Sequence, residues 1–524
     1  MSTSGSANVV VIGGGHNGLV CATLLARAGR QVTLLERRGF LGGLAAGEEF
    51  HPGFRSAGVH LDTAFFRPAL AAELDLEHHG LRWREREAAV YAPDLAGGDP
   101  VVLYPDDVEA TAGGLQTHSD SDGSAYRSWC SDVGRLGGFL RGVLDAPPPD
   151  VDSRTLGALW ELGKKGLALR RLGQRDMAEL LRVGPMCVAD WLNERFATDR
   201  LKVLLAVSAI TSAWTGPWSA GTALPLLVAQ ATRSRSVQGG PAALVDALTA
   251  AARAAGVTLR TDCEVQRLLI EDGVVKGVRL QDGEELEAGH VASSCDPKQL
   301  LLDLVSPRDL PPVLVRRGLA WRNRGTTAVV HLALDGPLHF TGCEKAVPDG
   351  LVERAILGTD IDSLERAFDP VKYGELPDRP CLEVSVPSVS SQGIAPMAPK
   401  GQHVVTIQAH FVPYGLAGGW NEDRRQELRE CVLKTLACYA PDAPGRVLAA
   451  QVLTPYDLEQ RYRLSGGHLQ HGEHTLDQFL HLRPNPECAR YATPLKGLWM
   501  CGSGSHPGGG VTGMPGALGA RSML

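Results

Sequence analysis

The residues best suited to chemistry near the N-terminus form a glycine-rich turn between a strand and a helix. The run Gly13-Gly14-Gly15-His16-Asn17-Gly18 has the spacing G-x-G-x-x-G and follows an apolar β-branched strand at 9–12. In such a turn Gly13 permits the tight bend, Gly15 lets the backbone approach a pyrophosphate, and Gly18 lets the helix pack on the strand. Free amides and the dipole at the helix N-terminus favour phosphate. The turn therefore predicts a dinucleotide-binding site.

An acidic residue stands where the ribose of that dinucleotide is expected. We predict a helix over 19–28 and a second strand over 31–36, which together with the first strand make one βαβ unit. Glu36 ends the second strand, 18 residues after Gly18. Its carboxylate is expected to accept hydrogen bonds from the ribose diol and to repel the extra phosphate of NADP. Arg37 follows directly and is expected to contribute to the same cofactor site.

Two further glycine runs distinguish FAD from NAD. Leu41-Gly42-Gly43-Leu44 resembles the extension of the dinucleotide motif in FAD proteins of the amine oxidase and phytoene desaturase superfamily. Near the other end, a strand leading to Gly502 and the run Pro507-Gly508-Gly509-Gly510-Val511-Thr512-Gly513 resemble the terminal flavin motif of the same superfamily. Amides at that helix start are expected to stabilise negative charge near the flavin N1 and C2 carbonyl. The resemblance implies FAD contacts from these residues: Gly42, Gly43, Leu44, Val59, Val265, Gly502, Ser503, Gly510, Val511 and Thr512.

Motifs along nearly the whole chain resemble the phytoene-desaturase-like flavoproteins, especially the branch of the pyridine nucleotide-disulphide oxidoreductase domain-containing proteins. Those at the two ends are specific for FAD, whereas those between them identify the branch but not a substrate. The central motifs are Val188-Ala189-Asp190-Trp191-Leu192, Gln238-Gly239-Gly240, Ser293-Ser294-Cys295-Asp296-Pro297, Leu453-Thr454-Pro455-Tyr456-Asp457-Leu458-Glu459 and His471-Gly472-Glu473.

Two features depart from this family's pattern. Ser503 stands where many FAD oxidoreductases carry an acid that binds the ribityl chain, so that contact is expected to be weaker or made differently. The family name suggests a redox disulfide, but the sequence has no closely spaced pair of cysteines. Dithiol chemistry is therefore not expected.

Histidines are the candidate catalytic residues because imidazole titrates near neutral pH. His506 precedes the terminal glycine turn, and His60 follows the Gly58-Val59 pair that the resemblance places near the flavin. Either is expected to contact substrate or to act as an acid or base. His16 is expected to pack near the pyrophosphate. The group His468, His471 and His474 lies in a glycine-interrupted loop, so we predict hydrogen-bonded loop histidines that face the substrate cavity, and no metal site.

The predicted fold class is α/β, with a Rossmann-like FAD-binding domain of the amine oxidase and phytoene desaturase type that is discontinuous in sequence. We assign 1–60, 237–300 and 490–524 to the FAD-binding domain. The remaining segments, 61–236 and 301–489, are assigned to an α+β substrate-binding domain, with the active site between the two domains.

Composition and charge exclude several classes of function. The chain has 524 residues, with 52 Lys plus Arg against 59 Asp plus Glu and a net charge of −7, so nothing favours nucleic-acid binding. The 11 cysteines include no C-x-x-C pair, which disfavours a disulfide framework, a zinc ribbon or an iron–sulfur cluster. Such usage suits a reducing compartment, and we expect a cytoplasmic protein.

Three segments bear on membranes. The polar N-terminus runs straight into the first strand, so no cleaved leader is predicted. The most apolar stretch, 201–230, is interrupted by Pro217 and Pro225 and is not predicted to cross a membrane. From Glu161 to Asp176 the chain is basic, which is typical of a solvated helix face or of a surface that contacts a membrane or a partner. The basic residues are Lys164, Lys165, Arg170, Arg171 and Arg175. Peripheral membrane contact and a homo-oligomer stay open.

The chemistry expected from these features is that of an FAD-dependent dehydrogenase or desaturase. It would remove a hydride and a proton from a small or lipophilic organic substrate, with the flavin reoxidised by oxygen, a quinone or another acceptor. Two other enzymes remain open, a non-redox flavin-dependent isomerase and an amine oxidase. A binding or scaffold protein stabilised by FAD is the alternative from another class. The sequence leaves the substrate, the acceptor and the catalytic base open.

Overall fold

The structure is a computed structural model that describes residues 8–151, 153, 155–211, 213–344, 346–347, 350–389 and 396–524. The first seven residues, on which the prediction of an uncleaved N-terminus rests, lie outside the described part. The strands are β1 Val9–Ile12, β2 Val32–Leu35, β3 Glu49–His51, β4 Phe54–Arg55, β5 Val90–Ala92, β6 Val101–Leu103, β7 Thr258–Arg260, β8 Val265–Glu271, β9 Val274–Leu280, β10 Glu285–Glu287, β11 His290–Ser293, β12 Thr327–Leu334, β13 Arg354–Leu357, β14 Leu382–Ser385, β15 His403–His410, β16 Val447–Leu453 and β17 Leu498–Met500.

Helices occupy much of the remaining described chain. The α-helices are α1 His16–Arg27, α2 Pro68–Glu73, α3 Val108–Leu115, α4 Asp122–Leu144, α5 Leu156–Arg171, α6 Gly173–Val183, α7 Val188–Asn193, α8 Asp199–Ile210, α9 Ala223–Thr232, α10 Gly240–Ala254, α11 Pro312–Ala320, α12 Ile361–Phe368, α13 Glu422–Ala437, α14 Pro455–Tyr462 and α15 Met514–Met523. A 3-10 turn at Gly43–Ala45 and a π-helical turn at Gln299–Leu304 complete the elements used below.

A five-stranded parallel sheet carries the glycine-rich turn at 13–18. Its strand order is β17-β11-β1-β2-β7, so β1 lies in the middle and pairs with both β11 and β2. All four residues of β1 are buried, as a strand covered on both faces requires. Helices α1, α10 and α15 contribute to the apolar core beside this sheet. The sheet and its helices confirm the predicted α/β class.

The five strands come from three distant parts of the chain. They lie at 9–12, 32–35, 258–260, 290–293 and 498–500. Helix α1 begins at His16, three residues before the predicted start, because the last residues of the glycine turn already have helical geometry. The assignment of whole segments to two domains stays a prediction.

A second, larger sheet has seven strands. Its order is β16-β12-β15-β14-β13-β5-β6, and its pairs are antiparallel except for β13 with β5. Strand β12 is buried at all eight positions, so this sheet is covered on both faces in its centre. A smaller antiparallel sheet has the order β10-β9-β8.

A helical layer beside the seven-stranded sheet contains the most apolar segment. Stretch 201–230 contributes α8 and α9, which lie in a core that also holds Trp129, Trp191 and Phe196. In the part of the chain that the structure describes, none of the helices is both long and apolar enough to span a membrane.

Candidate functional site

The glycine turn after β1 has one glycine with an open side and two that the fold itself requires. Gly13 has a φ of +94°, and a Cβ built on it would lie 2.3 Å from Ser294 Oγ. A Cβ on Gly18 would lie 2.0 Å from the carbonyl oxygen of Gly13. A Cβ on Gly15 would meet no atom within 4 Å. Gly13 and Gly18 therefore close the turn, whereas Gly15 leaves space for something outside the chain.

Glu36 lies beside this turn and supports it. Its Oε2 accepts a hydrogen bond of 2.7 Å from the Gly14 amide, and its Oε1 accepts one of 2.9 Å from the Arg38 amide. The side chain also lines the cavity described below. A carboxylate has lone pairs for about four hydrogen bonds, so Glu36 can still accept bonds from a diol.

The two ends of the chain meet at the N-terminus of α1. Asn17 Nδ2 donates a hydrogen bond of 2.9 Å to Ser503 Oγ, although the residues are 486 positions apart. Helix α15 packs so closely on α1 that a Cβ on Gly516 would lie 2.2 Å from the Asn17 carbonyl oxygen. The glycine turn after β1 and the turn after β17 are therefore neighbours.

A cavity of about 990 Å³, counting its opening to solvent, runs along both turns. Eleven of the residues that we predicted for the site line it: Gly13, Gly15, His16, Asn17, Glu36, Arg37, Gly43, Leu44, His60, Val265 and Ser503. The other predicted residues lie behind or beside this lining: Gly18, Gly42, Val59, Gly502, His506, Gly510, Val511 and Thr512.

The residues of this second group support the lining from behind. The Gly42 amide donates a hydrogen bond of 2.8 Å to the Gly14 carbonyl oxygen, and the Val59 amide donates one of 2.8 Å to the Leu44 carbonyl oxygen. Val511 is 1% exposed and packs in the core beside the parallel sheet. Gly42, Val59 and Val511 thus hold the turns in place from behind the lining.

Several lining residues were not singled out as site residues by the sequence. Ser294, Cys295 and Asp296 follow β11, and Tyr462 and Arg463 end α14. The signal for the first group was available, because ligands of parallel sheets bind at the carboxyl ends of the strands. Tyr462 carries no such signal in the sequence. Its ring lies beside Arg38, whose guanidinium carbon is 4.6 Å from the ring centroid, and both residues line the cavity.

Three histidines line the same cavity: His16 is buried, whereas His60 and His471 are partly buried. The rings of His16 and His60 meet edge to face with centroids 6.4 Å apart, and His471 lies close enough to influence both. Burial lowers the pKa of His16 to about 3, with His60 and His471 adding to the shift. Burial lowers the pKa of His60 and of His471 to about 4. All three imidazoles are therefore neutral at pH 7 and are weaker bases than a solvent-exposed histidine.

The other candidate histidines face elsewhere. His506 is fully buried, and its Nε2 lies 3.1 Å from the Ala146 carbonyl oxygen, while burial lowers its pKa to about 4. His474 Nε2 accepts a hydrogen bond of 3.0 Å from the Gly509 amide. His468 Nδ1 accepts one of 3.2 Å from the Gln470 amide. Within the described ranges, no group of three or more metal-ligating side chains is arranged to hold an ion.

Two family models each match more than half of the chain. The model described as FAD dependent oxidoreductase matches residues 8–347, and the one described as flavin containing amine oxidoreductase matches residues 189–520. The chain belongs to the FAD-dependent oxidoreductases. Pyridine nucleotide-disulfide oxidoreductase domain-containing protein 2 of Mus musculus is 33% identical to this oxidoreductase, and the match covers 99% of this chain and 93% of the relative.

A desaturase and a solved structure extend this relationship. Hydroxyneurosporene desaturase of Rubrivivax gelatinosus is 27% identical, over 98% of this oxidoreductase and 93% of the relative. The crystal structure of an oxidoreductase from Methanosarcina mazei has a TM-score of 0.57 and 17% identity, covering 98% of this chain and 99% of that chain, which shows the shared fold. These matches confirm a phytoene-desaturase-like flavoenzyme with FAD as its cofactor.

The residues around the cavity fit FAD. Two buried polar atoms of the lining, His16 Nε2 and Asn17 Oδ1, have no hydrogen-bond partner among the described residues. Both lie at the start of α1, where the open side of Gly15 also faces the cavity. A buried polar atom without a partner is costly, so a polar ligand at this point would stabilise the site. A diphosphate at a helix N-terminus supplies such a ligand.

Proposed function

We propose that this oxidoreductase is a dehydrogenase or desaturase that removes a hydride and a proton from a small or lipophilic organic substrate. The observation that carries the proposal is the cavity that joins the two distant glycine turns and is lined by neutral histidines. When bound, FAD supplies the two-electron oxidation. The chain's own residues bind and orient the partners and accept the proton.

The residues that would hold FAD divide by their position along the cavity. Gly15 and the amides at the start of α1 would bind the diphosphate, and Glu36 would bind the adenosine ribose. Val265 would pack against the adenine, and Arg37 would help to close this end because its Nη2 donates to the Arg461 carbonyl oxygen. Gly43, Leu44 and Ser503 line the other part of the cavity, where the ring would lie.

His60 is the proton acceptor that the geometry favours over His506. The His60 ring lines the cavity, and its backbone amide donates a hydrogen bond of 3.2 Å to the Leu44 carbonyl oxygen. The preceding residue, Val59, contacts the seven-stranded sheet: Gln408 Nε2 of β15 donates a hydrogen bond of 2.9 Å to the Val59 carbonyl oxygen. His60 therefore stands where the two sheets approach each other, and its neutral imidazole can take up a proton.

Both the relatives and the site support the proposed substrate class. A related protein is named hydroxyneurosporene desaturase, which favours removal of hydrogen from carbon in a lipophilic molecule. Leu44, Leu464 and Leu469 form an apolar wall of the cavity that His60 also lines. An apolar surface next to a proton acceptor suits such a substrate.

Anaerobic reduction of the bound FAD tests the function. We expect at least one polyene, alcohol or cyclic ketone in a panel to bleach the flavin absorption, and an oxygen or quinone addition to restore it. Amines in the panel test the amine oxidase alternative, and a product of unchanged mass would identify an isomerase. Bound flavin that no donor reduces would instead support a scaffold protein. A purified protein without flavin bands after addition of FAD would contradict the proposal.

We also propose that helix α5 contacts an anionic membrane surface. Its outward side carries an apolar stripe at helical spacing, in which Leu156 is 87% and Trp160 66% exposed. Lys164, Arg170 and Arg171 are exposed on the same helix although the chain as a whole has a net charge of −7. A basic helix that presents apolar residues to solvent suits an anionic lipid interface. The cytoplasmic or membrane-peripheral location stays a prediction.

Sedimentation with lipid vesicles checks this contact. We expect binding to phosphatidylcholine vesicles that contain phosphatidylserine to weaken roughly 100-fold in a Lys164→Gln/Arg170→Gln/Arg171→Gln variant, at about 1 kcal/mol per charge. Lys165 is left unchanged because its Nζ donates a hydrogen bond of 2.8 Å to the Pro147 carbonyl oxygen, a contact within the protein. Tyr373→Glu is the control, since Tyr373 is 76% exposed on another part of the surface. Equal sedimentation of all three proteins would contradict the proposal.

A further inference from the structure

A fully buried arginine without an acidic partner lies directly behind the cavity lining. Arg483 is 0% exposed, and its Nη2 donates a hydrogen bond of 2.9 Å to the Ser503 carbonyl oxygen. The same guanidinium donates to four more backbone carbonyl oxygens, those of Gln470, Gly472, Glu473 and Gln478. Its Nε has no hydrogen-bond partner among the residues that the structure describes. No carboxylate of the described residues forms an ion pair with it.

The side chain keeps its positive charge at neutral pH. Burial lowers the pKa of Arg483 to about 9, which still leaves the guanidinium protonated at pH 7. Burying a charge costs several kcal/mol unless a counter-charge offsets it. The carbonyl dipoles recover part of this cost, but they do not neutralise the charge. The structure therefore holds an uncompensated positive charge at this position.

The field of this charge reaches the cavity. Ser503 and His471 both line the cavity, and both are next to Arg483 through hydrogen bonds or electrostatic contact. The positive charge contributes to the lowered pKa of His471 and of His474. Because the guanidinium is fully buried, its charge is less screened by water than that of a surface arginine.

We propose that Arg483 tunes the cofactor: it stabilises negative charge on the flavin ring from behind the Ser503 turn and thereby makes reduction of bound FAD easier. The inference rests on the proposed function, because it places the ring beside Ser503. Two-electron reduction increases electron density on the ring, and a preorganised positive charge stabilises that state more than the oxidised one. Arg483 acts through the turn and is a positioning residue.

A purely structural role is the competing explanation. The five carbonyl oxygens that Arg483 binds come from loop 470–478 and from the terminal turn, so the residue also joins these two segments. The link between these two segments depends on the number and direction of the hydrogen-bond donors of Arg483. The effect on the reduction of FAD depends on its charge. Substitutions that separate donors from charge therefore distinguish the two roles.

The experiment measures the reduction potential of bound FAD in the holoenzyme by equilibration with a reference dye. Arg483→Gln keeps amide donors and removes the charge, and we expect the ratio of oxidised to reduced flavin at a fixed potential to rise at least about tenfold, or about 30 mV. Arg483→Lys keeps the charge and is expected to change the ratio less than threefold. The control is Arg322→Met, because Arg322 is paired with Asp477 at 2.6 Å and is partly exposed.

Each outcome decides between the roles. A wild-type ratio in Arg483→Gln would overturn the proposal, as would a tenfold change in Arg483→Lys. If the Gln variant fails to fold, the Lys variant keeps the proposal testable, because a tenfold change in a variant that retains the charge would still overturn it. Failure of the wild-type protein to bind FAD would contradict the proposed function and leave no potential to tune.

Discussion

Gly15→Val is expected to abolish retention of FAD while the apoprotein stays folded. Gly15 has φ −69° and ψ 171°, extended backbone that any residue can adopt, and a Cβ there would meet no protein atom within 4 Å. The added isopropyl group would occupy the part of the cavity next to the free amides of α1. We expect the Kd for FAD to rise at least about 100-fold, a loss of roughly 2.7 kcal/mol. Fluorescence titration of the apoprotein measures it.

Two matched substitutions separate this effect from damage to the fold. Gly18→Val should prevent folding, because its Cβ would lie 2.0 Å from the Gly13 carbonyl oxygen. Gly134→Val, on the exposed side of α4 with no atom within 4 Å of the added Cβ, should bind FAD like the wild type. The apoprotein melting temperature of Gly15→Val should match that of the wild type. Wild-type affinity in Gly15→Val would show that the diphosphate does not lie at this turn.

The turn that carries this prediction is visible in sequence because its conformation depends on missing side chains. Gly13 and Gly18 have positions at which a Cβ collides with the chain itself, so their spacing reports backbone geometry directly. The strand, turn and helix follow from local pattern, and the same holds for the buried β-branched residues of β1. The α/β fold class could therefore be predicted with few long-range assumptions.

The directions of side chains after the terminal turn could not be predicted in this way. His506 adjoins the glycine run, which suggested contact with substrate, but its ring points to the Ala146 carbonyl oxygen. Of the three loop histidines that we expected to face the cavity, His471, with a φ of +56°, lines it, whereas His468 and His474 do not, and nothing in the sequence distinguishes them. Both directions depend on packing between segments hundreds of residues apart. Local periodicity carries no information about that packing.

The burial of Arg483 also depends on tertiary structure. An arginine in a loop is most often exposed, so its position between Leu482 and Pro484 gives no sign of burial. Only the meeting of loop 470–478 with the turn at Ser503 encloses it. Residues whose role depends on enclosure by irregular loops are therefore missed by motif analysis, whereas residues that shape the backbone are found.

His60→Gln is expected to slow substrate-driven reduction of bound FAD at least about 100-fold, the usual contribution of a positioned acid or base. The imidazole lines the cavity between the glycine turn and the seven-stranded sheet, and glutamine fills similar space without a basic nitrogen. FAD content and melting temperature should change little, because the His60 backbone amide, which bonds to the Leu44 carbonyl oxygen, is retained. Stopped-flow absorbance with a substrate from the anaerobic panel measures the rate.

The pH dependence of that rate identifies the group that accepts the proton. Burial lowers the pKa of His60 to about 4, so its imidazole is neutral and competent from pH 5 to 8 and is lost as an acceptor when the pH falls through about 4. The wild-type rate should therefore be level above pH 5 and fall below it, whereas His60→Gln should lose this acid limb. His118→Gln is the control, since His118 contacts the Pro100 carbonyl oxygen away from the cavity. An acid limb that survives in His60→Gln would assign proton removal to another group, because a base that is absent cannot titrate.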